Sequence, residues 1–140
     1  MDCTIREMTM DDHDGAMALW GSREGVGLNE ADERGEIERY LRANEGMSFV
    51  AVADGRIVGA VLGGADGRRG YLHHVAVAAS HERSGLGRAL VDRCLQALRA
   101  AGMRKCHVHV FAANVEARNF WAATGWQLRD DLVVVSKTME

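Results

Sequence analysis

Gly85-Leu86-Gly87 stands at the mouth of a helical repeat and is flanked by Arg83 and Arg88. Two glycines there let a ligand reach bare backbone amides. The first turn of a helix leaves its N–H groups without intrahelical partners, and the helix dipole adds partial positive charge. That arrangement suits phosphate, and the two arginines add full charges, so the spacing predicts a ligand carrying a pyrophosphate. No Lys-Ser or Lys-Thr follows the glycines, which argues against a nucleotide-hydrolysing loop. A dinucleotide fingerprint would need a third glycine and an acidic residue about 20 positions on, and neither is present. What remains is a phosphate-bearing cofactor held mostly by main chain, without metal.

The other chemistry-bearing residues are histidines. His73 and His74 are adjacent, and His107 and His109 share one face of a strand. These imidazoles could ligate zinc, but no cysteine pair or acidic partner stands at the usual spacing, so no metal site is assigned. A packed or hydrogen-bonded strand histidine is the plainer alternative. Cys3, Cys94 and Cys106 are odd in number, widely spaced and without a CxxC, which reads as reduced thiols in the cytoplasm.

The elements that position these residues can be read from pattern. Residues 3–7 form a first strand. Thr9 and Asp12 make a capping box ahead of a helix whose apolar face is Ala16, Met17 and Trp20. After a loop with Gly25 and Gly27, a second helix spans about 31–43, with Ile37, Tyr40 and Leu41 at helical spacing. Residues 47–53 and 56–62 are strands joined by Asp54-Gly55, a hairpin signal. A loop at 63–70 leads to a strand at 71–77. The helix after Gly87 carries Leu86, Leu90, Cys94 and Leu98 at steps of four and ends at Gly102. A strand at 105–111, a helix at 114–123 closed by Gly125, and a pair of strands at 126–137 around Asp130-Asp131 complete the chain. The order βααβββαβαββ, with a central βαβ unit, predicts one mixed α/β domain over residues 1–140.

The chain has 140 residues, 47% hydrophobic and 26% charged, as in a soluble globular domain. A net charge of −3 argues against a general nucleic-acid or membrane-surface binder. No apolar run reaches membrane-spanning length, and the N-terminus lacks the pattern of a secretory signal.

The element order, Val75-Ala76-Val77 followed by Ser84-Gly85-Leu86-Gly87-Arg88-Ala89-Leu90, and the set Asn114, Ala117, Phe120, Trp121, Gly125 and Trp126 resemble the GNAT superfamily of acyl-CoA-dependent N-acetyltransferases. Val61-Leu62-Gly63-Gly64 through Asp66-Gly67 also resembles a subgroup of small single-domain bacterial members typified by YpeA. The resemblance implies a mostly antiparallel twisted sheet with a splayed parallel pair, the strands at 71–77 and 105–111, and helices on both faces. It implies acetyl-CoA with its pyrophosphate on amides from Ser84 to Ala89, its pantetheine arm along the backbone of Val75 and Val77, and its cysteamine end near Asn114 and Trp121. Where the family usually has Gln or Arg, this chain has Glu82, and Arg83 beside it could take over the charge.

Transfer to an amine needs neutral nitrogen, and only roughly one lysine-like amine in 2,500 is neutral at pH 7. A base is therefore useful. The family position on the fourth strand holds Tyr71, a poor base, and the position on the fifth strand holds His109, the first choice; His73 and His74 are lesser candidates. The oxyanion donor implied by the family is a backbone N–H of the 75–77 strand, assigned to Val77. The family's general-acid tyrosine is replaced by Trp121, which cannot deliver a proton. A thiolate leaves without much help; the alternative is a non-catalytic acyl-CoA-binding or sensor domain. Trp20 and Tyr40 lie on helices that border the family's acceptor site, with core packing as their plainer role. The acidic run Glu30 to Glu36 could attract a cationic amine or simply face solvent. Cys106 lacks a histidine–acid partner. The expected acceptor is a small-molecule or peptide amine, and a homodimer is left open.

Overall fold

The computed structural model describes residues 2–139, so Met1 and Glu140 lie outside the described residues. Two compact units divide the chain, one ending at His109 and one beginning at Val110. No helix among the described residues is long and apolar enough to cross a membrane.

The first unit is a five-stranded sheet in the order β1-β2-β3-β4-β5. Its strands are β1 (Thr4–Glu7), β2 (Phe49–Ala53), β3 (Arg56–Ala65), β4 (Gly70–Val77) and β5 (Cys106–Val108). The first four pair antiparallel, while β5 lies parallel to β4. Helices α1 (His13–Gly21) and α2 (Arg34–Ala43) sit over one face and α3 (Leu86–Ala100) over the other. This is the expected mixed α/β architecture.

Local chemistry explains most of these boundaries. The Thr9 N–H donates to Asp12 Oδ2 at 2.9 Å, closing a turn before α1 as the capping box predicts. Asp54 and Gly55 both take positive φ, 51° and 73°, the backbone of a two-residue hairpin turn. On the α1/α2 face Met8, Ala16, Leu19, Trp20, Ile37, Val50, Leu62 and Ala76 form a buried cluster. On the other face α3 presses its leucines onto bare backbone. A Cβ at Gly59 would meet Leu90 Cδ1 at 2.7 Å, and one at Gly70 would meet Leu98 Cδ1 at 2.7 Å.

Three expectations are corrected. Strand β3 runs on to Ala65, because Gly63 and Gly64 stay in the ladder opposite Leu72 and Tyr71. A Cβ at Gly63 would run into the Met47 carbonyl oxygen and one at Gly64 into the Tyr40 hydroxyl, so these glycines serve close approach rather than a loop. The expected second helix begins later, at Arg34, after a 3-10 turn over Glu30–Asp32. The expected terminal strands at 126–137 are not formed: residues 126–139 carry no regular element apart from a turn at 130–131. Val133, Val134 and Val135 are all exposed. An uninterrupted valine run has no polar alternation to tell one face from the other, so it specifies no strand register.

The second unit is built on α4 (Val115–Ala123). Trp121 is buried there, its ring 5.0 Å from Phe120 and 4.6 Å from Trp126 between centroids.

Candidate functional site

Between β4 and α3 the chain curls through two left-handed residues, Arg83 (φ 60°) and Gly85 (φ 82°). A left-handed residue without a Cβ penalty is what Gly85 supplies. The first intrahelical bond of α3 runs from the Ala89 N–H to the Gly85 carbonyl at 3.0 Å. Gly85 has no side chain to cap the helix, so the N–H groups of Leu86, Gly87 and Arg88 have no acceptor among the described residues. Ser84 is committed elsewhere: its hydroxyl donates to the His81 carbonyl at 2.6 Å and pins the loop. Arg83 and Arg88 are exposed and form no ion pair among the described residues. Glu82, the acid that broke the expected pattern, is ion-paired with Arg23 from the connection after α1. The loop therefore offers amides and two uncommitted guanidiniums to an anion, with its one carboxylate neutralised.

Strand β4 is irregular where it approaches this loop. Leu62 pairs with His73, yet Ala60 pairs with Ala76, so His74 and Val75 together stand opposite Val61. His74 carries the bulge at φ 55°. The bulge changes the parity of the strand. Gly70 faces α3, so Tyr71 and His73 face the α1/α2 side, and after the bulge Ala76 lies in that same buried cluster. In a regular strand His73 and His74 would point to opposite sides. Here both reach the α1/α2 side.

Beyond the bulge the edge of β4 opens. The Ala78 N–H donates to the Val58 carbonyl at 2.8 Å, so the Ala76 N–H points toward β3, and those of Val75 and Val77 point away from it. On that side β5 pairs with β4 only from Gly70↔Cys106 to Leu72↔Val108. From His73 onward no strand among the described residues covers this edge, which is the expected splay.

A column of rings lines the α1/α2 side of the parting strands. Tyr71 and His107 have centroids 5.6 Å apart, His73 and His109 6.2 Å, and Tyr40 and His73 6.2 Å. Burial, with smaller contributions from His74 and His109, holds the His73 imidazole below its ordinary pKa. The Tyr40 hydroxyl is buried without a hydrogen-bond partner among the described residues. Trp20 and Asp32 are buried and both bond to His74. Burial pushes the Cys106 thiol up to about 11, which keeps it protonated at neutral pH. No group of three or more His, Cys, Asp or Glu among the described residues could hold a metal.

Residues 9–126 match the family model described as the Acetyltransferase (GNAT) family. The chain belongs to the GNAT acetyltransferase family. Among its relatives is acetyltransferase SG1711 of Sodalis glossinidius (strain morsitans), 27% identical over 96% of this chain and 94% of the relative. Acetyltransferase ECA0875 of Pectobacterium atrosepticum is 34% identical over 76% of this chain and 74% of the relative. In fold it is similar to AAC(6')-Iy in complex with the bisubstrate analogue CoA-S-monomethyl-acetylneamine, with TM-score 0.80, 18% identity and coverage of 99% and 100% of the two chains. It is also similar to Ard1 from Thermoplasma volcanium, with TM-score 0.78, 23% identity and coverage of 89% and 82%.

As a GNAT enzyme the protein is an acyltransferase with acyl-CoA as its donor class. The first unit fits that donor through the unpartnered amides at 86–88 and the open edge at Val75 and Val77. In the second unit, Asn114 caps α4, its Oδ1 accepting from the Ala117 N–H at 3.0 Å. Trp121 is a packed residue of that unit. Nothing in the sequence points to Arg23, and the sequence sets Asp32 in an acidic run facing an amine or solvent, whereas Asp32 is buried and bonded to His74. Asp32 had a signal in Asn29-x-x-Asp32, a second capping box.

Proposed function

We propose that this GNAT enzyme moves an acetyl group from acetyl-CoA to a primary amine by direct transfer. One observation carries the reading: three unpartnered amides behind Arg83 and Gly85 lie in the same stretch of chain as an open strand edge whose Val75 and Val77 N–H groups face outward. A diphosphate suits the first, and an extended amide-bearing arm suits the second. Acetyl-CoA, when bound, supplies an activated thioester.

The free amides of Leu86, Gly87 and Arg88 hold the diphosphate, with Arg83 and Arg88 adding charge, and Arg23 keeps Glu82 from repelling it; the Ala89 amide is spent on the Gly85 carbonyl. Val75 and Val77 orient the arm. The Val77 N–H donates to the carbonyl oxygen as charge develops there. His109 takes the proton from the acceptor amine, directly or through one water. His73 beside it stays uncharged at neutral pH, so it sets no positive charge against a cationic acceptor. The leaving thiolate needs no protein acid, consistent with Trp121 standing where the family has tyrosine.

The acceptor is a small-molecule or peptide amine. A solved neighbour of this fold is an aminoglycoside acetyltransferase in complex with sisomicin; for this chain, aminoglycosides, polyamines, amino acids and peptide N-termini form the panel to test. The cysteines are all free thiols, which suits a reducing compartment, the cytoplasm. Calorimetric titration with acetyl-CoA tests the donor. Saturable heat is expected, and no heat at millimolar acetyl-CoA would overturn the reading.

A further inference from the structure

His74 holds a backbone conformation that a residue with a Cβ rarely adopts, and such strain persists only where the surroundings impose it. Here three contacts do so. The Asp32 carboxylate accepts from the His74 Nε2–H at 2.8 Å. The Trp20 Nε1–H donates to the His74 carbonyl at 2.8 Å. The two rings also pack with centroids 5.1 Å apart.

Both anchors are themselves fixed. Trp20 is fully buried in α1. Asp32 is buried in the turn before α2, where its Oδ2 accepts the Asn29 N–H at 3.0 Å and its carbonyl oxygen lies 3.0 Å from His13 Nε2. A buried carboxylate and a buried indole N–H are costly to leave unpaired, so each end of the tie keeps the other in place.

We propose that Asp32, His74 and Trp20 form a positioning tie for acyl transfer. It sets the β4 bulge so that the Val75 and Val77 N–H groups stay turned to the open edge. The inference rests on the acetyl-transfer reading above. The bulge is thus shaped from the connection between α1 and α2, 42 residues away in sequence. The phosphate loop does not depend on it, because the Ser84 bond to His81, the Arg23–Glu82 pair and the Ala89 bond to Gly85 hold that loop separately. The tie therefore governs turnover and the hold on the pantetheine arm, and leaves the diphosphate loop alone.

His74→Asn separates the tie from the backbone, since asparagine tolerates positive φ but its short side chain does not reach Asp32. This variant should lose at least about tenfold in kcat, as a small misplacement of reacting groups does. Its affinity for ADP, which carries a diphosphate but no pantetheine arm, should stay within about threefold. Asp32→Ala should behave alike, while Asp32→Asn, whose oxygen can keep the Asn29 N–H while its NH2 donates to the neutral His74 Nε2, should recover most of the loss. Trp20→Phe tests the other end with little change of volume. A readout independent of turnover is the amide spectrum of 15N-labelled protein. In His74→Asn the Val75 and Val77 resonances should move while those of Leu86, Gly87 and Arg88 stay. Folded His74→Asn and Trp20→Phe proteins with wild-type kcat, or with unmoved Val75 and Val77 amides, would overturn the proposal. A wild-type protein with no turnover on any amine would instead count against the acetyl-transfer reading, and the amide shifts would still decide the tie.

Discussion

His73 and His109 face each other one residue past Leu72↔Val108, the last registered pair of β4 and β5. Parallel strands that part at this step leave two imidazoles, rather than a ladder, at the mouth of the opening. His109→Ala should lower kcat/KM by about 10²–10⁴-fold, the usual contribution of a positioned base. A wild-type kcat/KM in this variant would take His109 out of the mechanism.

His73 makes a separate prediction about stability. Burial holds its folded pKa below the ordinary value of 6.5, so the unfolded chain binds a proton that the folded chain refuses. Stability from this group is thus full above about pH 6.5 and is lost as pH falls toward the depressed folded value. His73→Gln should flatten the decline of Tm between pH 7 and pH 5 relative to wild type. An equally steep decline in the variant would assign the acid sensitivity to other groups.

At the phosphate loop, Gly87→Glu puts a carboxylate at a helix start. The dipole favours it there, so the fold survives, but it repels a diphosphate. CoA binding should weaken by at least about a hundredfold, measured by calorimetry. Tight binding by this variant would contradict the loop's role.

The Arg23–Glu82 pair allows a sharper test of the same loop. Arg23→Ala should weaken CoA severalfold at low salt by leaving Glu82 bare beside the phosphates. The effect should shrink as salt rises. Glu82→Gln alone should bind at least as well as wild type, and the double variant should return to wild-type affinity. Failure of Glu82→Gln to restore the Arg23→Ala protein would mean that Arg23 acts in some other way.

Much of this site was legible in the chain because its signals are local. Gly85 before an amphipathic repeat, Thr9-x-x-Asp12 and Asp54-Gly55 each dictate a conformation within four residues. The bulge at His74 has no such signal. It arises from Trp20 and Asp32, which lie far off in sequence, so alternation along 71–77 could not assign the histidines to faces. Gly63 and Gly64 were misread for a related reason: what they accommodate, the Met47 carbonyl and the Tyr40 ring, comes from other elements. The valines at 133–135 show strand propensity without a register, and propensity alone forms no ladder.

That reading of Gly63 can be tested through stability. Gly63→Ala forces the Met47 backbone to shift and should cost about 1–3 kcal/mol, measured by urea unfolding. A neutral effect would mean that the strand yields easily there.

Cys94 and Cys106 should resist alkylation in the folded protein. Burial pushes their thiols up to about 12 and about 11, so at pH 8 roughly one Cys106 thiol in a thousand is thiolate. Iodoacetamide should modify buried Cys94 only as urea unfolds the chain and half-buried Cys106 slowly before that, and rapid labelling of either thiol in the native protein would contradict this.

Acetyl transfer to an amine is read by release of free CoA thiol from acetyl-CoA across the amine panel, with mass analysis of the acceptor. CoA release should be matched one to one by acetylated amine for at least one acceptor and be abolished in Gly87→Glu. No release above the enzyme-free rate with every amine, at saturating acetyl-CoA and with the cofactor bound, would contradict acetyl transfer.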